Sequence, residues 1–375
     1  MSPSPDKLPP RPGRDLPFER YRLYQWLDRR YQLGDLIEFL REKEVPITRM
    51  SFSYYFGGIA LMLFGVQVAT GILLLFYYVP SPDAAYESVH YVMAKVPFGW
   101  LVRSIHCWSA NVMILCVFIH LFSVFFMRAY RNPREMTWIS GCGLLGLVLA
   151  FGFSGYLLPW NELSFFATKV GTDIVGITPV VGQFGLKLLR GGEDVSGATL
   201  GRFFGLHVAI LPAVTTSVLI AHLVAIQRQG MSHPLGWLKQ PPAQRRSMPF
   251  FPNFLMRDLL LWLVVLNGLA AVAVFWPVSL GVKADPFASA PAGIKPEWYF
   301  LAAYQVLKWL PAKIGPIPGE VVGVLAMGLV ALAAFSLPFW DRAAEGEPRK
   351  RWLDVVGILT VAYFILMTGL GYVLR

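Results

Sequence analysis

The chain has 375 residues, of which 55% are hydrophobic and only 15% are charged, and its mean hydropathy is +0.51. Soluble domains carry about 25% charged residues, so this composition excludes an ordinary soluble fold, and the 14% aromatic content argues against disorder. The net charge of +10 does not indicate nucleic-acid binding, because the basic residues lie between apolar runs rather than in one patch.

The chain begins with a polar, basic segment, residues 1–50. Within it, residues 18–44 alternate apolar and aromatic positions with charges. This pattern is typical of an amphipathic helix that lies on a membrane surface, and we expect it on the cytoplasmic side. A soluble anchor helix is the alternative interpretation.

Seven apolar runs follow this segment. Each is close to the roughly 20 residues that a helix needs to cross a bilayer. Because the backbone must satisfy its own hydrogen bonds in lipid, the runs are expected to be helices. The sequence therefore predicts an all-α membrane protein with about seven transmembrane helices. The runs are 52–78, 99–127, 138–158, 203–226, 259–279, 321–339 and 355–374.

Lysine and arginine predict the orientation of these helices. Most of the 33 basic residues lie in 1–50 and in the connections after the second, fourth and sixth runs. Cytoplasmic loops carry an excess of such residues, so the N-terminus is expected in the cytoplasm. The second and fourth runs then both point inward.

Four of the six histidines lie inside the second and fourth runs. His106 and His120 are 14 residues apart, and His207 and His222 are 15 apart, so each pair stays on one broad helix face, roughly 21 Å apart along the axis. His106 should share the outer level with His207, and His120 the inner level with His222. Facing imidazoles are the axial ligands of low-spin haem, so we interpret the pairs as ligands of two haems. Hydrogen-bonded histidines or a proton path are the alternative.

Glycines repeat this spacing on the first and third runs. Gly57 and Gly71 are 14 residues apart, as are Gly141 and Gly155. A missing side chain lets a flat group approach the backbone closely, so the glycines are predicted to face the cofactors. Ordinary packing of small residues between helices is the alternative.

Two arginines precede the outer histidines. Arg103 lies in the second run and Arg202 just before the fourth. A cation in an apolar span needs an anion, and a haem propionate at the outer level would serve. Snorkelling to the interface is the alternative. Pro212 removes a backbone hydrogen bond in the fourth run and is expected to alter its winding there.

Six strings, in this order, resemble the cytochrome b family of bc and b6f complexes: GGIALMLFGVQVATG, FGWLVRSIHCWSANVMILCVFIH, GYLLPW, RFFGLHVAILP, AHLVAIQRQG and KPEWYF. The resemblance covers about residues 20–375 and is closest to the plastoquinol-type branch, in which the first four and last three helices are separate polypeptides. It implies a fused chain, with a b6-like dihaem four-helix bundle over 51–230 and a subunit-IV-like three-helix region over 231–375.

The resemblance implies a subunit that oxidises quinol near the outer face and passes electrons through two b haems to quinone near the inner face, with proton translocation. One electron goes to a Rieske iron–sulfur protein and then to a c-type cytochrome or a plastocyanin-like acceptor. The chain itself carries no iron–sulfur or c-haem motif, so partners are required. A homodimer in a bacterial inner membrane is implied.

The resemblance also assigns site residues. At the outer site it implies Pro296, Glu297, Trp298 and Tyr299, with Tyr156 as a further lining residue. Quinol oxidation needs a proton acceptor, and the carboxylate of Glu297 suits that role. The alternative treats Glu297 as an acid in the first turn of a helix, where the dipole favours it.

At the inner site the resemblance implies Arg228 and Asp258. A solvated topology charge and a helix N-terminal acid are the respective alternatives. Two departures from the plastoquinol-type pattern matter. Tyr55 stands where that branch has the cysteine that holds a third, c-type haem, so no covalent third haem is expected, and Cys107 replaces an arginine after His106.

Two other functions are alternatives. One is a b-type electron-transfer subunit of a quinone-reactive complex without a Rieske partner, against which the PEWY string and the long outer connections argue. The other is a transporter with a histidine proton relay, which would carry no visible chromophore.

Overall fold

The structure, a computed structural model, describes residues 21–343, 347 and 350–374. Residues 18–20 of the expected surface helix and Arg349 of the sixth connection lie outside this range. The described residues form α1 (Arg22–Tyr31), α2 (Leu33–Arg41), β1 (Glu44–Pro46), α3 (Tyr55–Leu75), α4 (Ala85–Lys95), α5 (Gly99–Met127), α6 (Glu135–Leu157), α7 (Glu162–Gly176), α8 (Gly182–Arg190), α9 (Gly197–Gly205), α10 (Leu211–Gln229), α11 (Leu235–Leu238), β2 (Ser247–Pro249), α12 (Leu255–Phe275), α13 (Trp298–Trp309), β3 (Lys313–Ile314), β4 (Ile317–Pro318), α14 (Gly319–Phe335), α15 (Leu337–Trp340) and α16 (Arg351–Val373).

The predicted all-α membrane architecture is confirmed. Six helices of the described chain are long and apolar enough to span a membrane. The remaining predicted span, the sixth run (321–339), is α14, which has only 17 residues and ends at Phe335, after which Pro338 lies in the first turn of the short α15. Sheet structure in the described residues is confined to two small two-stranded pairs.

The fourth predicted span is one continuous helix over Gly197–Gln229. It contains a π-helical turn, Leu206–Ile210, which carries His207. Pro212 follows this turn and has no backbone N–H to donate to a carbonyl of the preceding helical turn. A π-helical turn accommodates one extra residue, which accounts for the 15-residue rather than 14-residue spacing of the histidines on this helix.

The chain divides into two compact units. Among the described residues, the smaller comprises 21–45 and Ser247–Arg257. The expected single surface helix is two helices, α1 and α2, because Gln32 between them adopts a left-handed conformation with φ 51°. Strands β1 and β2 pair, and the carbonyl of Lys43 accepts a 2.7 Å hydrogen bond from the backbone N–H of Phe250.

The larger unit comprises Pro46–Arg246 and Asp258–Arg375. Within its described part α3 packs on α5, α6 on α10 and α13 on α16. One apolar cluster includes Leu63 of α3, Ile114 of α5 and Val148 of α6, all buried. Because α5 contacts α3, α4, α6 and α16, it is the helix against which much of this unit is assembled.

The loop after α5 forms a buried network that we call the arginine joint: Arg128, Tyr130, Arg131, Asp341 and Asp354. Arg131 pairs with Asp341 at 2.9 Å, and Arg128 pairs with Asp354 at 2.6 Å. The hydroxyl of Tyr130 donates to Asp341 at 2.8 Å. Burial by itself would raise the pKa of Asp341, but hydrogen bonds from Arg131 and Tyr130 outweigh it and hold that pKa below its ordinary value. Arg131 of this loop thus pairs with the acid that follows α15, and Arg128 pairs with an acid in the first turn of α16.

Candidate functional site

Four histidines lie among α3, α5, α6 and α10, and we name their two groups by position: His106 with His207 is the first level, and His120 with His222 the second. The rings of the first level have centroids 6.4 Å apart. A metal–imidazole bond is about 2 Å and its nitrogen lies about 1 Å from the ring centre, so two imidazoles on opposite sides of one metal have centroids roughly 6 Å apart. The first level therefore fits an iron held between two histidines. At the second level the two rings lie within electrostatic range of each other.

Each predicted glycine lies against one histidine ring. A Cβ atom built on any of the four would touch the Cε1 atom of an imidazole. A Cβ at Gly155 would force the ring to shift, whereas a Cβ at Gly71 would make only an ordinary van der Waals contact. In order of decreasing crowding, the pairs are Gly155 with His207 at 2.6 Å, Gly57 with His120 at 3.0 Å, Gly141 with His222 at 3.3 Å, and Gly71 with His106 at 3.5 Å.

Three of the rings are oriented by hydroxyl groups. Each hydroxyl donates its own proton to a carbonyl of the preceding helical turn, so it accepts the proton of the imidazole Nδ1. This arrangement leaves Nε2 as the nitrogen with a free lone pair for a metal. The Nδ1 contacts are His106 with Thr70 at 2.8 Å, His222 with Ser140 at 2.8 Å, and His207 with Ser154 at 3.1 Å.

The fourth ring lacks this support. The Nδ1 atom of His120 is buried and has no hydrogen-bond partner among the residues that the structure describes. The sequence carries a signal for this difference that the spacing of the histidines and glycines does not reveal. In the other three cases a hydroxyl residue immediately precedes the glycine, whereas Phe56 precedes Gly57. A hydroxyl-glycine dipeptide thus places an acceptor and a gap side by side against the ring.

The two arginines differ. Arg103 is only 6% exposed, and its guanidinium donates to the carbonyls of Val278 at 2.6 Å and Ser279 at 3.2 Å. It therefore does not snorkel to solvent. Arg202 is exposed, and its guanidinium donates at 3.3 Å to the carbonyl of Ala198 on its own helix. The Arg202 guanidinium also lies against Gly191.

Glu297 is the residue before α13 and its side chain makes no capping hydrogen bond, and the helix begins at Trp298, two residues later than Pro296. Its carboxyl group is half-buried and forms no ion pair within the described part of the chain. Burial raises the pKa of Glu297. The carboxyl lies within electrostatic range of Tyr156 and Tyr299, so the structure brings these members of the predicted outer site together.

The next two residues attach the motif to the bundle. The indole Nε1 of Trp298 donates a 2.7 Å hydrogen bond to Oδ1 of Asn111 on α5. The phenol oxygen of Tyr299 lies against Gly152 of α6, where a Cβ atom would come within 2.5 Å of it. Neither Asn111 nor Gly152 stands out in the sequence, because a lone polar residue or glycine in an apolar span carries no distinctive pattern.

The two residues predicted at the inner site, Arg228 and Asp258, form no ion pair with each other within the described part of the chain. Asp258 on α12 is 8% exposed, its carboxylate lies against Gly58, and the Trp262 side chain lies close to it. Among the described residues, its Oδ1 accepts no well-formed hydrogen bond. Arg228 lies exposed in the last turn of α10. Tyr55, at the position of the missing cysteine, is half-buried and packs on the cluster around Ile59.

Two family descriptions match the chain. "Cytochrome b/b6/petB" matches residues 41–230, and "Cytochrome b(C-terminal)/b6/petD" matches residues 283–374. Together they cover all four histidines and the PEWY motif. The family implies b-type haem.

The chain is similar to proteins from several sources. It is 44% identical over 367 residues to a cytochrome bc complex cytochrome b subunit of Chlorobaculum thiosulfatiphilum, covering 98% of this chain and 84% of that one. It is 42% identical to cytochrome b6 of Synechococcus sp. strain JA-3-3Ab, covering 57% of this chain and 99% of that one. A solved structure described as a hyperthermophilic respiratory Complex III superimposes with a TM-score of 0.81 at 29% identity, covering 93% of this chain and 91% of that one. The chain therefore belongs to the cytochrome b family and is a cytochrome b subunit of the bc/b6f type.

Proposed function

We propose that this chain is the dihaem subunit of a quinol-oxidising complex, with the first histidine level facing outward and the second facing inward. The observation that carries the proposal is the repeated arrangement of the four histidines, each with a glycine against its ring. The 6.4 Å separation of the first-level rings supports an iron between them. When bound, two b haems would supply one-electron transfer across the membrane.

The role of the surrounding residues is to orient the ligands. Thr70, Ser140 and Ser154 fix the Nδ1–H tautomer, so that Nε2 of each ring faces the metal position. Arg103 lies one helical turn before His106, which supports a role beside the outer haem. In this structure its guanidinium N–H groups donate hydrogen bonds to the carbonyls of Val278 and Ser279. Exposed Arg202 receives less support for the propionate role.

At the outer site, Glu297 is proposed as the proton acceptor for quinol. A base must be deprotonated yet basic enough to take a proton near neutral pH, and burial raises the pKa of Glu297 in that direction. Tyr156, Trp298 and Tyr299 would line the site, and Pro296 would fix the approach of the chain to α13. No ion pair in the described chain competes for this carboxylate.

At the inner site, Asp258 is proposed to meet quinone or its protons. Support comes from its buried carboxylate, whose Oδ1 accepts no well-formed hydrogen bond from the described residues. Arg228 is six residues beyond His222 on the same helix and is proposed to contribute a positive charge at that level. Protons would be taken up here and released at the outer site.

The complex is proposed to include a Rieske iron–sulfur protein, a c-type cytochrome or similar acceptor, and a second copy of this chain, in a bacterial inner membrane with the N-terminus in the cytoplasm. The relatives named as parts of bc complexes support such partners. The two family matches support a b6-like bundle over 51–230 and a subunit-IV-like region over 231–375. Tyr55 offers no thiol for a covalent third haem.

The test is Glu297→Gln in the assembled complex, with a short-chain quinol as donor and reduction of the b haems followed by absorbance. Quinol oxidation should fall by about 10²-fold, because general base catalysis contributes 10²–10⁴-fold, while haem content is unchanged. In the unaltered chain the rate should fall as the pH drops through the raised pKa of Glu297, which places this acid limb at a higher pH than an ordinary glutamate would give. The variant should lack the limb.

The matched control is Glu320→Gln. Glu320 is an exposed acid in the first turn of α14, so its substitution tests whether any helix N-terminal carboxylate matters. It should leave turnover unchanged. Unaltered turnover in Glu297→Gln would remove the proton-acceptor role.

A further inference from the structure

Helix α5 presents two neighbouring faces to different parts of the molecule. One face carries His106 and His120. The other carries Cys107, Asn111 and Phe118, which are separated by four and seven residues and therefore share a stripe. Because both faces belong to one helix, whatever the second stripe holds is fixed relative to the first histidine level.

The carboxamide of Asn111 is held at both ends. Its Nδ2 donates a 3.0 Å hydrogen bond to the carbonyl of Cys107, one turn earlier. Its Oδ1 accepts the 2.7 Å hydrogen bond from Trp298 Nε1. Because the Cys107 carbonyl can only accept a hydrogen bond, the amide atom of Asn111 that contacts it is the nitrogen, and the amide oxygen faces the Trp298 indole. Both contacts lie in a largely apolar part of the bundle, where a hydrogen bond is worth more than at a solvated surface.

Trp298 transmits this contact to the motif. It is the first residue of α13, directly after Glu297. Its ring also packs near Phe118, with centroids 6.3 Å apart, and near Phe364 of α16, at 6.2 Å. These ring contacts restrict the indole but do not set its rotation, whereas the hydrogen bond to Asn111 is directional.

The adjacent residue holds the same turn from another side. Tyr299 is buried, and its hydroxyl lies against Gly152 of α6. Glu297 is therefore followed by two side chains that are fixed by two different helices. A shift of the Trp298 ring would turn the backbone that carries the Glu297 carboxylate.

We propose that Asn111 is a positioning residue for quinol oxidation: its hydrogen bond to Trp298 sets the placement of the Glu297 carboxylate relative to the helix that carries His106. This inference rests on the proposed function of Glu297. Asn111 touches neither the quinol nor the metal position in this assignment. It acts through Trp298.

The experiment is a double-mutant cycle in the assembled complex with the same short-chain quinol. The variants are Asn111→Leu, which removes the acceptor at similar volume, Trp298→Phe, which removes the donor, and the pair. Asn111→Leu should lower kcat by about tenfold with a smaller change in KM, because a misplaced group costs rate rather than ground-state binding. The double variant should be no slower than Trp298→Phe alone, since both remove one hydrogen bond.

Two further measurements separate positioning from folding. Haem content and the reduced-minus-oxidised spectrum should be unchanged in Asn111→Leu, and the acid limb of its pH profile should persist at lower amplitude. Asn111→Gln, which keeps the amide, should recover part of the lost rate. Asn267→Leu is the matched control, because Asn267 is an exposed asparagine of α12 whose amide donates to Leu263 on its own helix; it should turn over normally.

Normal turnover in Asn111→Leu would overturn the inference, as would additive losses in the cycle. A parallel loss of haem and turnover in both Asn111→Leu and Asn111→Gln would assign Asn111 to folding and also overturn it. Glu297→Gln in the same series keeps the two proposals apart. If that variant is slow while Asn111→Leu is normal, only the positioning role fails, and if it turns over normally, the proton-acceptor role fails whatever Asn111 does.

Discussion

The two histidine levels share one plan and differ in its completion. Each has two imidazoles with a glycine against each ring. At the first level both Nδ1 atoms contact a hydroxyl, from Thr70 and Ser154. At the second level Ser140 contacts Nδ1 of His222, and no described residue forms a hydrogen bond with Nδ1 of His120. The comparison shows that the glycines, which leave space beside the rings, are present at all four histidines, whereas the hydroxyl groups that orient the rings are present at only three.

The helical winding differs as well. His207 lies in the π-helical turn, and His222 lies in a regular part of α10. The turn accommodates the extra residue between them, which keeps both on the bundle side of the helix. The first level therefore depends on a local irregularity that the second does not need.

The largest expected effect is at the first level. His207→Ala should remove the outer haem and spare the inner one, because the ring it deletes is one of only two ligands at that level. A pyridine haemochrome assay should give about half the haem of the unaltered chain, and the reduced-minus-oxidised spectrum should retain one b-type component. Retention of both components would break the proposed pairing of His106 with His207.

Substitutions of the glycines should grade with the measured crowding. Gly155→Ala should disturb haem binding most, since its Cβ would lie 2.6 Å from His207, and Gly71→Ala least, since its Cβ would lie 3.5 Å from His106. Overpacking of this kind costs about 1–3 kcal/mol. Haem retention on mild heating is the measurement. Gly143→Ala is the control, because a Cβ there meets no atom within 4 Å; equal effects at all these positions would refute the grading.

The smallest expected effect concerns the hydroxyls. An Nδ1 hydrogen bond raises the basicity of a ligand imidazole and so favours the oxidised iron. Ser154→Ala should therefore raise the midpoint potential of the outer haem by tens of millivolts, on a scale where about 59 mV is tenfold for one electron. Phe56→Ser, which creates the missing dipeptide, should lower the inner potential. Spectroelectrochemical titration checks both, and unchanged potentials would mean that the hydroxyls only orient the rings.

Much of the fold was predictable because membrane helices follow from apolar length alone. The bounds of α5 agree with the predicted run at both ends. The break between α1 and α2 was not predictable, since it depends on the left-handed backbone of Gln32 rather than on a proline or glycine. The burial of Arg128 and Arg131 was not predictable either, because their acidic partners lie more than 200 residues away.

For the site, periodicity located the histidines and glycines, because a fixed spacing on a helix translates directly into a shared face. The PEWY residues came from the family resemblance, since a short acidic string alone resembles any helix start. Asn111 could not be found in either way. Its importance rests on a contact with a helix that begins 187 residues later.

The arginine joint has a consequence for how the polypeptide holds together. Removing one member of a buried ion pair such as Arg131 and Asp341 lowers the free energy of unfolding by about 3–5 kcal/mol. Ion pairs therefore hold the end of α15 and the start of α16 against the loop after α5, in addition to the covalent backbone. A nick in the stretch around residues 231–246 would leave this fastening intact. Cytochrome b6 of Synechococcus sp. strain JA-3-3Ab covers 57% of this chain and 99% of its own length. In this chain the arginine joint is a non-covalent link between the two regions that match separate family models, 41–230 and 283–374.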